Sequence, residues 1–350
     1  MGLTSNLQHI SQLPFRSAAI LFSISLVSKH SEYKYMSITQ ALKIAVVCGG
    51  ESAEAEVSRV SAKGVVAALK ENYSHVAQFE LNSELTQALA DYAPDVVFPV
   101  LHGPPGEDGT FQGYLEILGY KYVGSDVHSS AFAMDKIVAK RLFASIDLPL
   151  IEDMVLSSGC DVEQAVLDIQ DKLGPDVVIK PARQGSALGI TLVNNANQMH
   201  AGINSAFAFD KQLLIERRIV GREITVGVID TDAGNEAFPV IEVTTPEDTW
   251  YDFEHRYTSG LSEHVMPAEL SAAQTARLQK IAIDAHQVLG CRDLSRADFV
   301  VPSDDEEYLL EVNTLPGMTP TSLYPDGAQG FGLSFSALVS YLIERAANRR

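Results

Sequence analysis

Residues 295–313 have the sequence Ser-Arg-Ala-Asp-Phe-Val-Val-Pro-Ser-Asp-Asp-Glu-Glu-Tyr-Leu-Leu-Glu-Val-Asn, which predicts a β-hairpin around a Pro-Ser-Asp-Asp-Glu turn. Successive side chains of a strand point to opposite faces of a sheet. One face of the first strand therefore carries Arg296 and Asp298, and one face of the second carries Glu311 and Asn313. We expect the opposite face to be apolar and to join the core, through Ala297, Phe299, Val301, Tyr308, Leu310 and Val312.

The polar face of this hairpin combines a cation, two carboxylates and an amide. Hard oxygen ligands suit Mg²⁺, which usually takes one or two protein carboxylates together with phosphate oxygens of a nucleotide. The alternative interpretation is an ordinary Arg–Asp ion pair on a solvated strand face. The hairpin alone does not decide between the two.

Strand and helix patterns alternate from Lys43 onward, which predicts an α/β protein. Residues 43–48 form a continuous apolar run, typical of a parallel strand that is covered on both faces. The pair Gly49-Gly50 ends it, and a helix follows to about Lys70. A later strand leads into the glycine-rich loop 102–109, at the sheet edge where doubly wound proteins bind ligands.

Two further segments suggest a nucleotide. Lys180 ends a strand beside the Gly/Ser loop 182–189, a combination that suits phosphate although it is not a P-loop. Glu216 lies in a strand and could accept a hydrogen bond from an adenine amino group; a surface charge on an edge strand is the alternative. Residues 128–146 are predicted as one helix that contains Lys136, and residues 246–262 as a lid loop.

Composition and charge narrow the class of protein. The 350 residues are 46% hydrophobic and 20% charged, as in ordinary globular proteins. Twenty-six basic residues against 45 acidic ones give a net charge of −19, which argues against nucleic acid or an anionic membrane surface as the main partner. Three widely spaced cysteines without zinc-ligand spacing favour a reducing compartment, so we expect a cytoplasmic protein.

Residues 1–36 fall outside this pattern. They hold a short apolar run, Ala18–Val27, that is too short to span a bilayer. We expect an over-long gene start with Met36 as the true first residue, or a leader, while a structured extension is the third alternative.

Motifs along the chain resemble the D-alanine–D-alanine ligase family of the ATP-grasp superfamily. They occur in the family's order between about residues 43 and 345: Gly49-Gly-Glu-Ser-Ala-Glu-Ala-Glu-Val-Ser58, His102-Gly-Pro-Pro-Gly-Glu-Asp-Gly-Thr-Phe-Gln-Gly113, Met134-Asp-Lys136, Lys180-Pro181 with Gly185-Ser186, Gly221-Arg-Glu223, Tyr251-Asp-Phe-Glu-His-Arg-Tyr257, Arg296-Ala-Asp298 and Glu311-Val-Asn-Thr-Leu-Pro-Gly-Met-Thr319.

The resemblance implies a three-domain ATP-grasp fold. Its parts would be a doubly wound substrate-binding domain over 37–125, a central ATP-grasp subdomain over 126–217, and a C-terminal subdomain with the metal site and lid over 218–350. The implied reaction joins two D-alanines through a D-alanyl phosphate, with ATP and two Mg²⁺ or Mn²⁺ ions, for peptidoglycan precursor synthesis. A homodimer is usual in the family.

The resemblance also implies roles for individual residues around the nucleotide. Lys136 and Lys180 would contact phosphates, Glu216 the adenine and Glu223 the ribose, and Arg217 and Arg256 are further nucleotide-binding positions. The metal ligands would be Asp298, Glu311 and Asn313. Arg296 and the backbone N–H of Gly317 would stabilise the tetrahedral oxyanion.

Substrate positions follow in the same way. Glu54 would hold the ammonium of the first D-alanine, with His102 nearby, and would form a triad with Ser186 and Tyr257 that closes the lid. Ser322 and Leu323 would bind the carboxylate of the second D-alanine. Two departures stand out, because Ala187 replaces a usual serine and Arg256 a usual lysine; both bear on rate and on the closed lid.

Alternatives to this function remain open. Related enzymes make D-alanine–D-lactate or D-alanine–D-serine, although Tyr257 favours a dipeptide product. A regulatory nucleotide-binding protein that has lost catalysis would be expected to lack metal ligands, which this sequence retains. A nicotinamide dehydrogenase would need a Gly-x-Gly-x-x-Gly after the first strand, which is absent.

Overall fold

The computed structural model describes residues 41–185, 187–246, 260–302, 306–319 and 322–349. These residues belong to one compact unit that contains three β-sheets. The segment 1–36 lies outside the described residues. The predicted domain boundaries near residues 125 and 217 fall between successive sheets and stay a prediction.

The first sheet is parallel, with strand order β2-β1-β3. Its strands are β1 (Lys43–Cys48), β2 (His75–Glu80) and β3 (Val96–Pro99), and its helices are α1 (Ala55–Leu69), α2 (Leu85–Tyr92) and α3 (Thr110–Leu118). Ala45 and Val47 belong to an apolar cluster with residues of α2 and α3. Helix α1 also contacts β1 but contributes no residue to this cluster. Because β1 is covered on both faces, residues 44–48 are wholly buried, as the apolar run predicted.

A buried serine fixes the loops at the carboxyl edge of this sheet. Ser58 on α1 accepts a hydrogen bond from Gly49 N–H at 2.8 Å and donates one to the Val100 carbonyl. Gly49 has φ +78°, in the left-handed region that favours glycine. The end of β1 and the end of β3 are therefore tied to one helix, which places the loops after both strands side by side.

The second sheet is antiparallel, in the order β4-β7-β5-β6. It consists of β4 (Asp153–Ser157), β5 (Val177–Pro181), β6 (Thr191–Val193) and β7 (Gln212–Arg217). Helices α6 (Val162–Lys172) and α7 (Ala196–Ala206) bury one of its faces in a continuous apolar cluster. Strand β7 is an inner strand, so the side chains near its end are not at a sheet edge.

Along the chain, α4 (Val127–Met134) and α5 (Lys136–Ala144) follow the first sheet and precede the second. We predicted a single helix over 128–146, and this is wrong. Asp135 has an extended backbone and its carboxylate accepts hydrogen bonds from the N–H groups of Ile137 and Val138. This N-cap starts a second helix, in which Lys136 is the first residue.

The third sheet has six strands, with β11-β10-β8-β12-β13 as its main order and β9 beside β8. The strands are β8 (Arg222–Thr231), β9 (Gly234–Ala237), β10 (Ile241–Thr244), β11 (Glu263–Val265), β12 (Leu294–Val301) and β13 (Tyr308–Asn313). Helix α8 (Ala272–Val288) covers its apolar face. The chain continues with α9 (Leu323–Phe331) and α10 (Phe335–Asn348). Among the described residues, no helix combines the length and apolar composition needed to cross a bilayer.

Candidate active site

One cavity collects many of the residues that the sequence marked as functional. Its lining includes Glu54, His102, Glu107, Lys136, Gly185, Arg296, Glu311, Asn313, Gly317, Ser322 and Leu323. These residues come from loops after β1 and β3, from α5, from the loop after β5, and from the third sheet and α9. Residues far apart in sequence thus line one cleft.

Glu54 lies where the loops of the first two sheets meet. It is 6% exposed. A Cβ atom at Gly103 or at Gly185 would each lie 3.7 Å from its Oε2 atom, so the carboxylate is in contact distance of both loops. The neighbour of Gly185, Ser186, lies outside the described residues, as do Arg256 and Tyr257. The predicted triad therefore stays a prediction.

His102 and Glu107 lie in the loop after β3 and face this same cavity. Burial lowers the pKa of His102, with Arg296 adding to the effect and Glu54 opposing it. Its Nε2 atom has no hydrogen-bond partner among the described residues. A neutral imidazole with one vacant nitrogen can accept or donate a hydrogen bond to a bound ligand.

Glu107 is a site residue that the sequence did not identify beyond its place in a motif. Its carboxylate accepts a hydrogen bond from Gly103 N–H at 2.5 Å. Burial raises the pKa of Glu107 to about 8, and the negative charges of Glu54 and Glu311 add to the rise. The residue as a whole keeps some exposure, but its carboxyl end is turned inward. Two carboxylates, Glu54 and Glu311, and one cation, Arg296, act on this carboxyl group, and this balance favours a cationic ligand.

The hairpin places its polar residues together as predicted. Arg296 pairs with Asn313 and Asp298 with Glu311 across β12 and β13. The guanidinium of Arg296 donates two hydrogen bonds to Asp298, at 2.8 and 2.7 Å. Asp298 also accepts hydrogen bonds from Thr225 Oγ1 at 2.6 Å and Asn313 Nδ2 at 3.1 Å. These contacts hold the arginine and the aspartate in fixed positions on the cavity side.

The apolar face of the second strand differs from the prediction. A bulge between Asp298 and Phe299 shifts the register, so Phe299 pairs with Leu309. Leu309 and Val312 are buried in the core, whereas Tyr308 and Leu310 are only partly buried. The prediction that Tyr308 and Leu310 join the core is therefore wrong, because an extra residue on one strand reverses the alternation beyond it.

The hairpin has a donor set that fits a divalent cation. Two carboxylates and an amide on adjacent strands are hard oxygen ligands, and they leave room for phosphate oxygens in an octahedral shell. The described residues contain no group of three or more His, Cys, Asp or Glu that could hold a metal by itself. Asp298, Glu311 and Asn313 could therefore hold such an ion only together with a ligand or water.

Lys136 connects this hairpin to the loop after β5. As the first residue of α5, it donates its backbone N–H to Ala182 at 2.9 Å. Its ammonium donates to the Gln184 carbonyl at 2.7 Å and lies 3.5 Å from Glu311 Oε2. The lysine is mostly buried, with 11% of its side chain exposed. A cation held between a glycine-containing loop and an acidic strand is well placed for a phosphate.

Glu216 is buried between two lysines. It is 2% exposed on inner strand β7, so the alternative of an edge-strand surface charge is wrong. Its carboxylate lies 2.5 Å from Lys180 Nζ and contacts Lys140 Nζ on the other side. Lys140 was not identified from the sequence, because a lysine in a helical pattern is usually exposed. Burial alone would raise the pKa of Glu216, but the two ammonium groups outweigh it and lower the pKa.

Arg217 lies on β7 and Glu223 on β8, and strand alternation defines the face of the sheet to which each side chain points. Arg217 follows Glu216 on β7, so its side chain points to the opposite face. There it pairs with Glu152 at 2.7 Å. Glu223 pairs in register with Val300 and lies on the same face of β8 as Thr225, the residue that contacts Asp298. Their roles toward a nucleotide stay predictions.

Gly317, Ser322 and Leu323 form the wall at the start of α9. A Cβ at Gly317 would lie 2.8 Å from Ser322 Oγ, so a larger residue here would require the serine side chain to move. Ser322 Oγ accepts a hydrogen bond from Thr319 N–H at 2.9 Å. The Leu323 side chain is buried against Ile241 and Val243. At this helix N-terminus, the backbone N–H groups rather than the Leu323 side chain are suited to a carboxylate.

Comparison with known proteins identifies the class. The model described as "D-ala D-ala ligase C-terminus" matches residues 142–344, and the one described as "D-ala D-ala ligase N-terminus" matches residues 78–125. A solved structure, D-alanine–D-alanine ligase from Bacillus anthracis complexed with ATP, superposes with a TM-score of 0.75 at 30% identity. The superposition covers 88% of this chain and 97% of that one. The fold is thus the α/β ATP-grasp fold.

Curated relatives give the family. D-alanine–D-alanine ligase from Halalkalibacterium halodurans is 42% identical over 304 residues, which cover 86% of this chain and 98% of that relative. The enzyme of the same name from Syntrophobacter fumaroxidans is 42% identical over 311 residues, or 88% and 98% of the two chains. The chain therefore belongs to the D-alanine–D-alanine ligase family.

Proposed function

We propose that this protein joins two D-alanines into D-alanyl-D-alanine at the expense of ATP. ATP would phosphorylate the carboxylate of the first D-alanine, and the amine of the second would attack the acyl phosphate, with release of phosphate. The observation that carries the proposal is the single cavity in which Glu54 and His102 face Lys136, Arg296, Glu311 and Gly317. Family membership supports the same reaction.

The charge of each residue indicates which part of the substrates it would bind. Glu54, with His102 and Glu107 beside it, would hold the ammonium of the first D-alanine. Lys136 and Lys180 would neutralise the phosphates, since phosphoryl transfer needs alignment and charge neutralisation rather than a protein nucleophile. Glu216 and Glu223 would contact the adenosine.

The second half of the reaction needs an acceptor site and a site for the oxyanion. Ser322 and the first N–H groups of α9 would orient the second D-alanine through its carboxylate. Arg296 would stabilise the tetrahedral oxyanion together with the N–H of Gly317. Its ion pair with Asp298 supports this role, because it fixes the guanidinium before the reaction begins.

We further propose that Asp298, Glu311 and Asn313 hold Mg²⁺ or Mn²⁺, as two ions. A bound divalent cation supplies charge neutralisation at phosphate oxygens. The predicted homodimer and the cytoplasmic location belong to the same proposal, as does the supply of D-alanyl-D-alanine for peptidoglycan precursors.

The test is release of ADP by purified protein with ATP, Mg²⁺ and single amino acids. D-alanine is expected to stimulate ADP release and L-alanine to leave it at background. If no D-alanine-dependent ADP is formed, the proposed function is wrong. A series of acceptors at increasing pH separates the related ligases, because D-alanine reacts as its free amine whereas D-lactate has no amine to deprotonate.

A further inference from the structure

The buried carboxylate of Glu216 has two cationic partners, one on each oxygen. Oε2 lies 2.5 Å from Lys180 Nζ, and Oε1 contacts Lys140 Nζ. All three side chains are largely enclosed, with exposed fractions of 3% for Glu216, 12% for Lys180 and 6% for Lys140. One ammonium would suffice to balance one carboxylate, so the second calls for an explanation.

The two lysines are anchored differently. Lys180 is the next-to-last residue of β5, close to the loop 182–189, and it is the more exposed of the two. Lys140 lies inside α5, one turn after Lys136, and its ammonium is also 3.5 Å from Asp153 Oδ1. Two carboxylates thus retain Lys140, whereas within the described part of the chain Lys180 forms an ion pair only with Glu216.

Leaving a buried carboxylate without a counter-ion is strongly unfavourable. If Lys180 turns toward a phosphate, Glu216 keeps a counter-ion only because Lys140 remains in place. Without Lys140, the carboxylate would hold Lys180 and compete with the phosphate for the same ammonium. With two lysines beside it, the buried carboxylate of Glu216 therefore keeps a counter-ion when one of them leaves.

We propose that Lys140 is a positioning residue for nucleotide binding, the permanent counter-ion of Glu216 that makes Lys180 available to the phosphates of ATP. The inference rests on the proposed use of ATP. It assigns a function to a lysine that does not line the cavity.

The test measures the dissociation constant of ATP by calorimetry in the full chain. Lys140→Met keeps the aliphatic volume and removes the charge, and it should weaken ATP binding about ten-fold, the effect of one lost charge-assisted contact. Adding Glu216→Gln to this variant should restore affinity to that of Glu216→Gln alone, because no carboxylate then retains Lys180. Glutamine keeps an oxygen that can accept a hydrogen bond from adenine.

Arg141→Met is the matched control. Arg141 is the next residue on α5 and pairs with Asp153 at 2.9 Å, whereas the ion pairs of Glu216 within the described residues are with Lys140 and Lys180. Its loss should leave ATP affinity unchanged, and Lys140→Arg, which keeps the charge, should stay near the parent. Should Lys140→Met fail to fold, Glu216→Gln and Lys140→Met/Glu216→Gln remain to be compared, and equal affinities are expected.

Two results would overturn the inference alone: ATP affinity at the parent level in Lys140→Met, or a double variant that binds more weakly than Glu216→Gln. A purely structural role for Lys140 would give the second result, since removal of another buried partner would add to the damage. If the parent protein binds no ATP, the proposed function fails first and the inference fails with it.

Discussion

The regions around Glu216 and around Glu107 each hold a carboxyl group turned away from solvent, but the charged groups beside the two carboxyls differ. Glu216 has Lys140 and Lys180 against it, and its pKa is lowered despite burial. Burial raises the pKa of Glu107 to about 8, and the neighbouring Glu54 adds to the rise more than Arg296 opposes it. Two cations thus keep the first carboxyl ionised, whereas the second lies beside other carboxylates and keeps its proton up to about pH 8.

This difference corresponds to the two kinds of ligand in the proposed reaction. The cation-rich region is suited to triphosphate, and the carboxylate-rich region is suited to the ammonium of an amino acid. Each ligand would bring the charge that its region lacks. Glu311 lies at the boundary, 3.5 Å from Lys136 and close enough to Glu107 to affect its pKa.

Removing the charge of Glu311, at the boundary between the two regions, should have the largest effect on turnover. In Glu311→Gln we expect kcat to fall about a thousand-fold, because the variant loses a carboxylate at the site of phosphoryl transfer. The melting temperature should change by about 2 °C or less, since the residue is only partly buried. Glu306→Gln, an exposed change on the same hairpin, should alter neither quantity. Comparable losses of turnover and stability would make Glu311 a structural residue.

Removing the negative charge of Glu54 should weaken the binding of D-alanine and leave the binding of ATP largely unchanged. Glu54→Gln is expected to raise KM for the first D-alanine about thirty-fold, the effect of losing one hydrogen bond to a charged group. The KM for ATP should change far less, because the cation-rich region is intact. Glu51→Gln, an exposed change three residues earlier, is the control. Equal increases in both KM values would contradict the separation of the two regions.

The acceptor side can be tested with two serines that precede helices. Ser322→Ala should raise KM for the second D-alanine about five-fold with only a small change in stability, because the Ser322 side chain does not cap its helix and the variant loses the acceptor of the Thr319 N–H. Ser334 caps α10 through Ala337 N–H, so Ser334→Ala should cost about 1 kcal/mol of stability without affecting KM. The reverse assignment of effects would remove Ser322 from the acceptor site.

The raised pKa of Glu107 predicts a smaller effect, on stability alone. An unfolded chain releases this proton near pH 4.5, whereas the ligand-free folded protein keeps it up to about pH 8. The folded state therefore binds more protons in this window, and stability falls as the pH rises through it. Glu107→Gln has no proton to release at this position, so its stability does not show this decrease with pH.

The difference in melting temperature, Glu107→Gln minus parent, should thus grow between about pH 5 and about pH 8 and level off above. Thermal melts of both proteins at several pH values measure it, with the exposed change Glu71→Gln as control. A difference that is constant with pH would show that Glu107 is already ionised in the folded protein.

Much of the fold could be predicted because local patterns agree with it. The strand at 43–48, the helix after Gly49-Gly50 and the hairpin follow from apolar runs, alternation and glycine positions. The helix over 128–146 could not, since a single capping side chain, Asp135, divides it. The faces of β13 depended on a bulge, which no alternation pattern reveals.

The site was predicted where strand geometry alone places residues together, as for Arg296, Asp298, Glu311 and Asn313. Lys140 and Glu107 were missed because their functions depend on burial beside residues distant in sequence, Glu216 and Glu54 respectively. Helical spacing makes a lysine look exposed, and a loop motif does not show which of its carboxyls turns inward. Charge environment is a tertiary property.

The measurement that tests the central claim most directly follows oxygen atoms. D-alanine labelled with ¹⁸O in both carboxylate oxygens is incubated with the protein, ATP and Mg²⁺, and the released phosphate and dipeptide are analysed by mass spectrometry. Attack of the amine on a D-alanyl phosphate breaks the bond between the acyl carbon and the bridging oxygen, so one ¹⁸O atom should leave with each phosphate and three should remain in the dipeptide. Phosphate without label would contradict the acyl phosphate, and with it the proposed division of the cavity between an amino acid and a triphosphate.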